Sequence, residues 1–231
     1  MRPIAILSSV SNESNLILSR LTKKQRVSLA KKTVYQGILS GHHTILMITG
    51  IGKVNASHSA TVLIEHLPIR LLINCGVGGA YPESGLDVGD IAIASKEIYG
   101  DEGVYGSDKG MREIGIPVLK LGKKGYFNEF LLDTRLLRDV SLKGERIGPF
   151  VTISSVSGTY ERAIELGSRF NAICENMEGA AIAHVCRIYN IPMLEIRGIS
   201  NIAGIRDKRR WNAGLASENC QRFVLEVIKS L

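Results

Sequence analysis

The sequence predicts an α/β fold, a single domain spanning residues 1–231 in which a central mixed β-sheet is flanked by helices. Short runs rich in β-branched and aliphatic residues alternate with longer segments of helical spacing along the chain. Such alternation is typical of helices packed on both faces of a largely parallel sheet. The 231 residues, 45% of them apolar, suffice for one sizeable core, and nothing in the sequence resembles a linker.

The elements follow from these runs in order. Seven short aliphatic or β-branched runs are predicted strands: 4–7, 34–39, 44–49, 70–75, 90–98, 150–154 and 193–199. Six segments with helical spacing are predicted helices: 13–21, 53–66, 129–140, 160–167, 177–189 and 213–230. The polar, glycine-rich stretch 100–125 has no clear period, so we expect a long loop there: a lid, a subunit contact or a plain surface excursion.

Composition excludes several classes of protein. The net charge of +7 admits an anionic partner, but the basic residues are scattered, which favours a solvated surface over a nucleic-acid site. The four cysteines are far apart and form no C-x-x-C pair, so neither a disulfide framework nor a metal site is predicted. No apolar run reaches the ~18 residues of a membrane span, and the apolar start is too short for a signal peptide. We expect a cytoplasmic protein without a cofactor.

Two glycine-rich segments, 50–53 and 76–79, follow predicted strands. Neither has the remaining residues of a P-loop or of the dinucleotide fingerprint. Gly76, Gly78 and Gly79 are still expected to form a turn that lets the backbone approach a ligand at the carboxyl end of a strand. A tight turn without a ligand is the alternative.

Two polar motifs stand out against apolar surroundings. Glu178, in NMEGAA at 176–181, opens a predicted helix of small and apolar residues and would suit a sugar diol, or would simply cap the helix. Ser200 and Asn201 end the strand of RGISN at 197–201, where an asparagine amide can face a heterocycle or form a turn. Glu13, just after the first strand, is by itself only a glutamate at a helix start.

Together these segments resemble the signature of the purine nucleoside phosphorylase and nucleosidase superfamily. Nearly the whole chain carries the resemblance in order, through Glu13, INCGVGGA at 73–80, NMEGAAIAHVC at 176–186 and RGISN. It implies that Glu178 binds the ribose hydroxyls and Met177 packs against the sugar. It also implies that Glu13 activates the attacking water, and that Val77, Gly78 and Ser200 help to hold the base. The family usually forms homodimers or larger assemblies.

One position departs from the adenine-releasing nucleosidases. Asn201 falls where they have an aspartate that protonates the purine at N7. An asparagine is better matched to a 6-oxopurine such as hypoxanthine, whose O6 accepts from the amide. The segments MEGAA, EIRGISN and Gly204-x-Arg206-Asp207, followed by Trp211, resemble the futalosine hydrolase family of menaquinone biosynthesis. Arg206 would then pair with the benzoate carboxylate of futalosine or merely shape its loop, and Trp211 would wall the pocket or fill core.

Three other functions are weaker predictions. A phosphorylase needs arginines and amides around phosphate, whereas the first loop, SSVSNE at 8–13, has no arginine and carries a carboxylate. A methylthioadenosine or S-adenosylhomocysteine nucleosidase is the alternative within the superfamily. A non-catalytic nucleic-acid-binding module would explain the charge but none of the motifs. The predicted partner is a small nucleoside, with no nucleic acid and no membrane.

Overall fold

A ten-stranded mixed sheet runs through the protein. The computed structural model describes residues 2–106, 111–140 and 142–231. Its strands are β1 (Ile4–Ser8), β2 (Thr22–Leu29), β3 (Lys32–Leu39), β4 (His42–Ile48), β5 (Leu71–Ala80), β6 (Ile91–Tyr99), β7 (Val104–Tyr105), β8 (Met111–Arg112), β9 (Leu119–Leu121), β10 (Lys124–Tyr126), β11 (Glu129–Leu131), β12 (Arg146–Thr152), β13 (Cys174–Asn176) and β14 (Met193–Ile202). Its helices are α1 (Asn15–Arg20), α2 (Lys53–His66), α3 (Tyr160–Phe170), α4 (Gly179–Tyr189) and α5 (Ala213–Ser230). The single α/β domain with a mixed sheet and flanking helices confirms the predicted fold class.

The sheet closes on itself around one group of strands. β1 is central and parallel to both β4 and β5. β5 pairs with β14, β14 with β6, β6 with β12, β12 with β13, and β13 again with β5. These five strands form a closed ring, and small and apolar side chains, among them Ala92, Phe150 and Ile199, pack together within it. The carboxyl ends of β1, β4, β5 and β14 therefore meet at one edge.

Apolar packing on the two sheet faces positions the helices. All five residues of β1 are buried, as expected of a central strand covered on both sides. One core cluster joins α2 and α4, through residues such as Leu63 and Ile182, to one face. Another joins α1 and α5, through Ile17 and Val224, to the other. The start of α4 is consequently held close to the carboxyl edge of the sheet.

Local signals account for several helix ends. The side chain of Thr159 caps α3 by accepting from the amide of Arg162 at 3.3 Å, and Asn212 caps α5 by accepting from Leu215 at 3.0 Å. α3 and α4 each end at an asparagine with a positive φ, Asn171 at 46° and Asn190 at 53°. The structure bounds α2 and α5 at the predicted residues.

Several secondary-structure predictions were wrong or incomplete. The helix predicted at 13–21 is a 3₁₀ turn, Ser11–Glu13, followed by the short helix α1 at Asn15–Arg20. Residues 129–140 form the edge strand β11 and a 3₁₀ turn at Thr134–Leu137, because antiparallel pairing with β6 overrides the helical spacing. β2 was missed because its side chains are polar and mostly exposed. β13 was missed because it is only three residues long. α4 begins at Gly179, so Met177 and Glu178 precede the helix.

The predicted loop at 100–125 contains short strands. β7 pairs with β8, and β9 pairs with β10, each pair antiparallel and separate from the main sheet. Residues 107–110 of that stretch lie outside the described residues. None of the described helices is both long and apolar enough to cross a membrane.

Candidate active site

A cavity of about 410 Å³ opens at the carboxyl edge of the sheet. Its walls come from the loops after β1 and β4, the last part of β5, the segment from β13 into α4, and the end of β14 with the loop that follows. Eight residues predicted for the site line this one cavity: Glu13, Val77, Gly78, Met177, Glu178, Ser200, Asn201 and Arg206. Trp211 lines it as well. Gly76, which was also expected to approach a ligand, is not among the lining residues.

Glu13 is held by backbone amides. It ends a 3₁₀ turn, Ser11–Glu13, directly after β1 and is 5% exposed. Its Oε2 accepts from the amides of Ser9 at 2.9 Å and Val10 at 3.1 Å, and its Oε1 accepts from the amide of Val77 at 2.9 Å. Three N–H donors match a carboxylate, which only accepts. The side chain is thereby fixed at the cavity wall.

Glu178 lies at the start of α4 and is 4% exposed. Its Oε1 accepts from the amide of Gly52 at 2.9 Å, and its Oε2 forms an ion pair with Arg197 Nη2 at 3.4 Å. Gly52 adopts a φ of 92°, a conformation that other residues rarely reach. A loop after β4 and a strand thus hold the carboxylate from two sides.

Arg197 is a functional residue that the sequence reasoning missed. It is 1% exposed on β14, and its Nη2 lies 2.7 Å from Glu195 Oε1. Its Nη1 donates to the carbonyl of Val77 at 3.1 Å. Burial lowers the pKa of Arg197, but the charges of Glu195, Glu178 and Glu13 raise it well above its ordinary value. The signal was available in EIR at 195–197, two charged residues inside an otherwise apolar strand.

The glycines at 76–79 do not form the predicted turn. They belong to β5, which pairs with β1 in its first half and with β13 at Gly79 and Ala80. A Cβ on Gly76 would lie 2.6 Å from Glu13 Oε1, and one on Gly78 would lie 2.5 Å from Cys174 Sγ. Glycine is needed here because it leaves room for the acids and the neighbouring strand.

Asn201 presents its amide nitrogen. Its Oδ1 lies 2.8 Å from the Ser200 hydroxyl, and its Nδ2 donates to the carbonyl of Ile202 at 3.1 Å. The Ser200 hydroxyl also reaches the carbonyl of Gly78 at 3.1 Å. One N–H of the Asn201 amide is left for a ligand, so the side chain offers the cavity a donor.

Arg206 and Trp211 stand together at the edge of the cavity. The guanidinium of Arg206 lies 4.8 Å from the centroid of the Trp211 ring, and the indole N–H donates to the carbonyl of Ile205 at 2.8 Å. Within the described ranges Arg206 has no acidic partner, whereas its neighbour Arg209 pairs with Asp207 at 2.7 Å. Arg206 is therefore a cation available to a ligand.

The site contains no arrangement suited to a metal. Among the residues that the structure describes, no three His, Cys, Asp or Glu side chains converge as metal ligands would. The four cysteines are all buried and free. The cavity is lined by the carboxylates of Glu13, Glu175 and Glu178, the guanidinium groups of Arg197 and Arg206, and the side-chain amides of Asn176 and Asn201.

The fold and this site belong to a known family. The model of the phosphorylase superfamily matches residues 3–229, so the chain belongs to that superfamily. Among curated relatives, futalosine hydrolase of Thermus thermophilus is 35% identical over 191 residues, covering 82% of this chain and 83% of the relative. The 5′-methylthioadenosine/S-adenosylhomocysteine nucleosidase of Staphylococcus haemolyticus is 30% identical over 234 residues, covering 98% and 94%.

Solved structures resemble the chain over its full length. The methylthioadenosine/S-adenosylhomocysteine nucleosidase of Streptococcus pneumoniae, in complex with 8-aminoadenine, has a TM-score of 0.85 at 27% identity and covers 100% of both chains. The same kind of enzyme from S. pneumoniae with the transition-state inhibitor MT-ImmA has a TM-score of 0.83 at 26% identity and covers 99% of both chains. The family is thereby established through both sequence and fold.

Proposed function

We propose that this protein hydrolyses the N-glycosidic bond of a purine nucleoside, and that its substrate is futalosine, which it splits into hypoxanthine and dehypoxanthine futalosine. The observation that carries the proposal is that Glu13, Glu178 and Asn201, from three distant parts of the chain, line one cavity. Relatives that cleave purine nucleosides support the reaction class. The futalosine hydrolase relative supports the particular substrate.

The bond breaks through an oxocarbenium-like ribosyl state. The electron pair of the bond leaves with hypoxanthine, whose anion is then protonated by solvent. Glu178 accepts hydrogen bonds from the 2′ and 3′ hydroxyls, and Met177 packs against the sugar. Glu13 takes a proton from the water that attacks C1′, as the general base does in inverting glycosidases. A positioned general base contributes ~10²-fold to 10⁴-fold in rate. No covalent intermediate and no cofactor is required.

Asn201 selects the leaving base. Its free N–H donates to O6 of hypoxanthine, while Val77, Gly78 and Ser200 complete the wall beside the purine. Adenine departs more easily when N7 is protonated. The amide of Asn201 can donate a hydrogen bond, but it does not transfer its proton at neutral pH. The asparagine therefore favours a 6-oxopurine.

Arg206 binds the distal carboxylate of futalosine. It lines the cavity on the face of Trp211 and has no acidic partner among the described residues. A guanidinium is the side chain best suited to hold a carboxylate with two parallel hydrogen bonds. This contact would distinguish futalosine from uncharged purine nucleosides.

Water is a better nucleophile than phosphate in this cavity. A phosphate site needs free amides and cations. The amides of Ser9, Val10 and Val77 already donate to Glu13, and the Glu13 carboxylate would repel an anion. The reaction is therefore hydrolysis.

The second candidate is 5′-methylthioadenosine/S-adenosylhomocysteine nucleosidase. It is favoured by the relative that is 30% identical over 98% of this chain. The two functions differ in the base released.

The test is to incubate the purified protein with futalosine and, separately, with methylthioadenosine, each with and without phosphate. We expect hypoxanthine from futalosine at a rate that phosphate does not change. Adenine as the main product would favour the second candidate, and a phosphate requirement would contradict hydrolysis. Glu226→Gln, on the exposed surface of α5, is a matched control for the acidic site variants.

A further inference from the structure

A buried glutamate that the proposed reaction does not use lies behind the start of α4. Glu97 on β6 is 0% exposed. Its Oε1 accepts from Asn176 Nδ2 at 2.7 Å, and its Oε2 lies 2.7 Å from Thr152 Oγ1. Glu178 and Glu195 pair with Arg197, but Glu97 has no cation in contact among the described residues.

The contacts of Thr152 indicate where a proton resides. Its Oγ1 accepts from the amide of Ala180 at 2.7 Å and lies 2.7 Å from Glu97 Oε2 and 3.0 Å from Asn176 Oδ1. A hydroxyl has one proton. If Glu97 were ionised, one of these two oxygen–oxygen contacts would have no hydrogen between its atoms.

Two backbone donors fix the orientation of the Asn176 amide. Its Oδ1 accepts from the amides of Glu178 at 3.0 Å and Gly179 at 2.7 Å, so this atom cannot be the amide nitrogen. A proton on Glu97 Oε2 supplies a hydrogen to both oxygen–oxygen contacts of Thr152, and Asn176 Oδ1 then accepts from the Thr152 hydroxyl as well as from the two amides. Glu97 then donates to Thr152, and Thr152 donates to Asn176.

The electrostatic surroundings agree with this proton count. Burial raises the pKa of Glu97 well above its usual range, and the charge of Glu195 raises it further. Thr152, Arg197 and Asn176 act in the opposite direction without reversing it. The titratable or charged groups that interact electrostatically with Glu97 are Tyr99 on its own strand, Cys174 on β13, Glu195 and Arg197 on β14, and Tyr81 after β5.

We propose that Glu97 is a neutral carboxylic acid in the folded protein and acts, through Thr152 and Asn176, as a positioning residue for Glu178. Asn176 and Thr152 together hold three consecutive amides, those of Glu178, Gly179 and Ala180. Glu97 anchors both of these side chains from behind. Because Glu97 is uncharged, it does not compete with Glu178 and Glu195 for the positive charge of Arg197.

The first test needs no substrate. We expect the infrared difference spectrum between wild type and Glu97→Gln at neutral pH to contain the carbonyl band of a protonated carboxylic acid, with the small shift in heavy water that such a band shows. Glu226→Gln, on the exposed surface of α5, should retain the band. Absence of the band from the difference spectrum between wild type and Glu97→Gln would overturn the assignment.

The second test is kinetic and rests on the proposed function. In Glu97→Gln the carboxamide accepts from Asn176 and donates to Thr152, as the neutral acid does, so we expect most of the wild-type kcat to remain. Glu97→Ala should lower kcat by about 10-fold to 100-fold, because small displacements of catalytic groups have effects of that size. Thr152→Val, which preserves the side-chain shape, should lower kcat likewise and serves where the alanine variant does not fold.

These outcomes separate the two proposals. A folded Glu97→Gln protein that loses its activity would show that Glu97 must be charged. Wild-type kcat in both Glu97→Ala and Thr152→Val would remove the positioning role. If the wild-type protein cleaves no nucleoside, the proposed function fails while the infrared result still stands.

Discussion

The amide of Gly52 donates to Glu178 Oε1 at 2.9 Å, so the loop before α2 holds the carboxylate that precedes α4. Gly52 does this with φ 92° and ψ 164°, a combination that only glycine adopts readily. The glycine in the GIGK segment therefore directs an N–H at an acid rather than at a phosphate.

Gly52→Ala tests this relationship. No atom lies within 4 Å of an added Cβ, so the cost is backbone strain, about 1–3 kcal/mol, and the N–H turns away from Glu178. We expect lower stability together with a clear loss of kcat/KM, measured by denaturant unfolding and by product release. Gly41→Ala, in the β3–β4 turn with φ 86° and equally open surroundings, is the control. Gly41→Ala should lose stability and keep activity. Equal activity in both variants would show that the Gly52 amide is not needed by the site.

Glu13→Gln tests the general base. The substitution replaces an acceptor oxygen by an amide group that faces N–H donors, and it removes the group that takes a proton from water. We expect kcat to fall by ~10²-fold to 10⁴-fold while the protein still folds. Single-turnover kinetics with Glu226→Gln as the control would measure this, and near-wild-type turnover would exclude Glu13 from the mechanism.

Glu178 and Asn201 could be predicted as candidate site residues because each is a polar side chain in an apolar segment. Glu178 interrupts a run of small and apolar residues, and Asn201 ends an apolar strand. The central strands and the bounds of α2 and α5 followed from apolar patterns. That Glu13 and Glu178 share one cavity was expected from the family resemblance, and that resemblance rested on the short motifs.

The rest depended on tertiary contacts that have no local signal. Gly52 contributes an amide rather than a side chain, and Arg197 acquires its role only when Glu195 and Glu178 surround it. The exposed strand β2 lacks the apolar alternation that identifies a half-buried strand. The segment 129–140 has apolar residues at helical spacing, but antiparallel pairing with β6 makes its first residues the strand β11.

Asn201→Asp tests the choice of base. An aspartic acid at this position can supply the proton that an adenine leaving group needs, and it removes the N–H that faces O6. We expect the ratio of kcat/KM for 6-amino to 6-oxo nucleosides to rise by at least about 10-fold, the size of one well-placed hydrogen bond. Parallel assays with methylthioadenosine and futalosine would measure it. An unchanged ratio would show that the base is recognised elsewhere.

Arg206→Gln tests recognition of the carboxylate. A charged hydrogen bond contributes about 1.5–3 kcal/mol, so we expect KM for futalosine to rise by about 10-fold or more with little change in kcat. An uncharged nucleoside such as inosine should be unaffected. Arg209→Gln is the matched control, because Arg209 is already paired with Asp207. The same loss for both nucleosides would indicate that Arg206 only shapes its loop.

The pH dependence of stability tests the protonation of Glu97 without any substrate. In the unfolded chain a glutamate loses its proton above about pH 4.3, whereas burial keeps the pKa of folded Glu97 well above that range. The contribution of Glu97 to stability is therefore full below pH 4.3. It falls by about 1.4 kcal/mol for each pH unit above that value, until the folded protein also releases the proton.

Glu97→Gln has no proton to lose, so its free energy of unfolding, relative to wild type, should rise from pH 5 to pH 7. Urea titrations of the two proteins at matched pH would measure the difference, in which the titrations of Glu175 and Glu195 largely cancel. Parallel curves over this interval would mean that folded Glu97 is already ionised, and Thr152 would then lack the proton needed for its contact with Asn176.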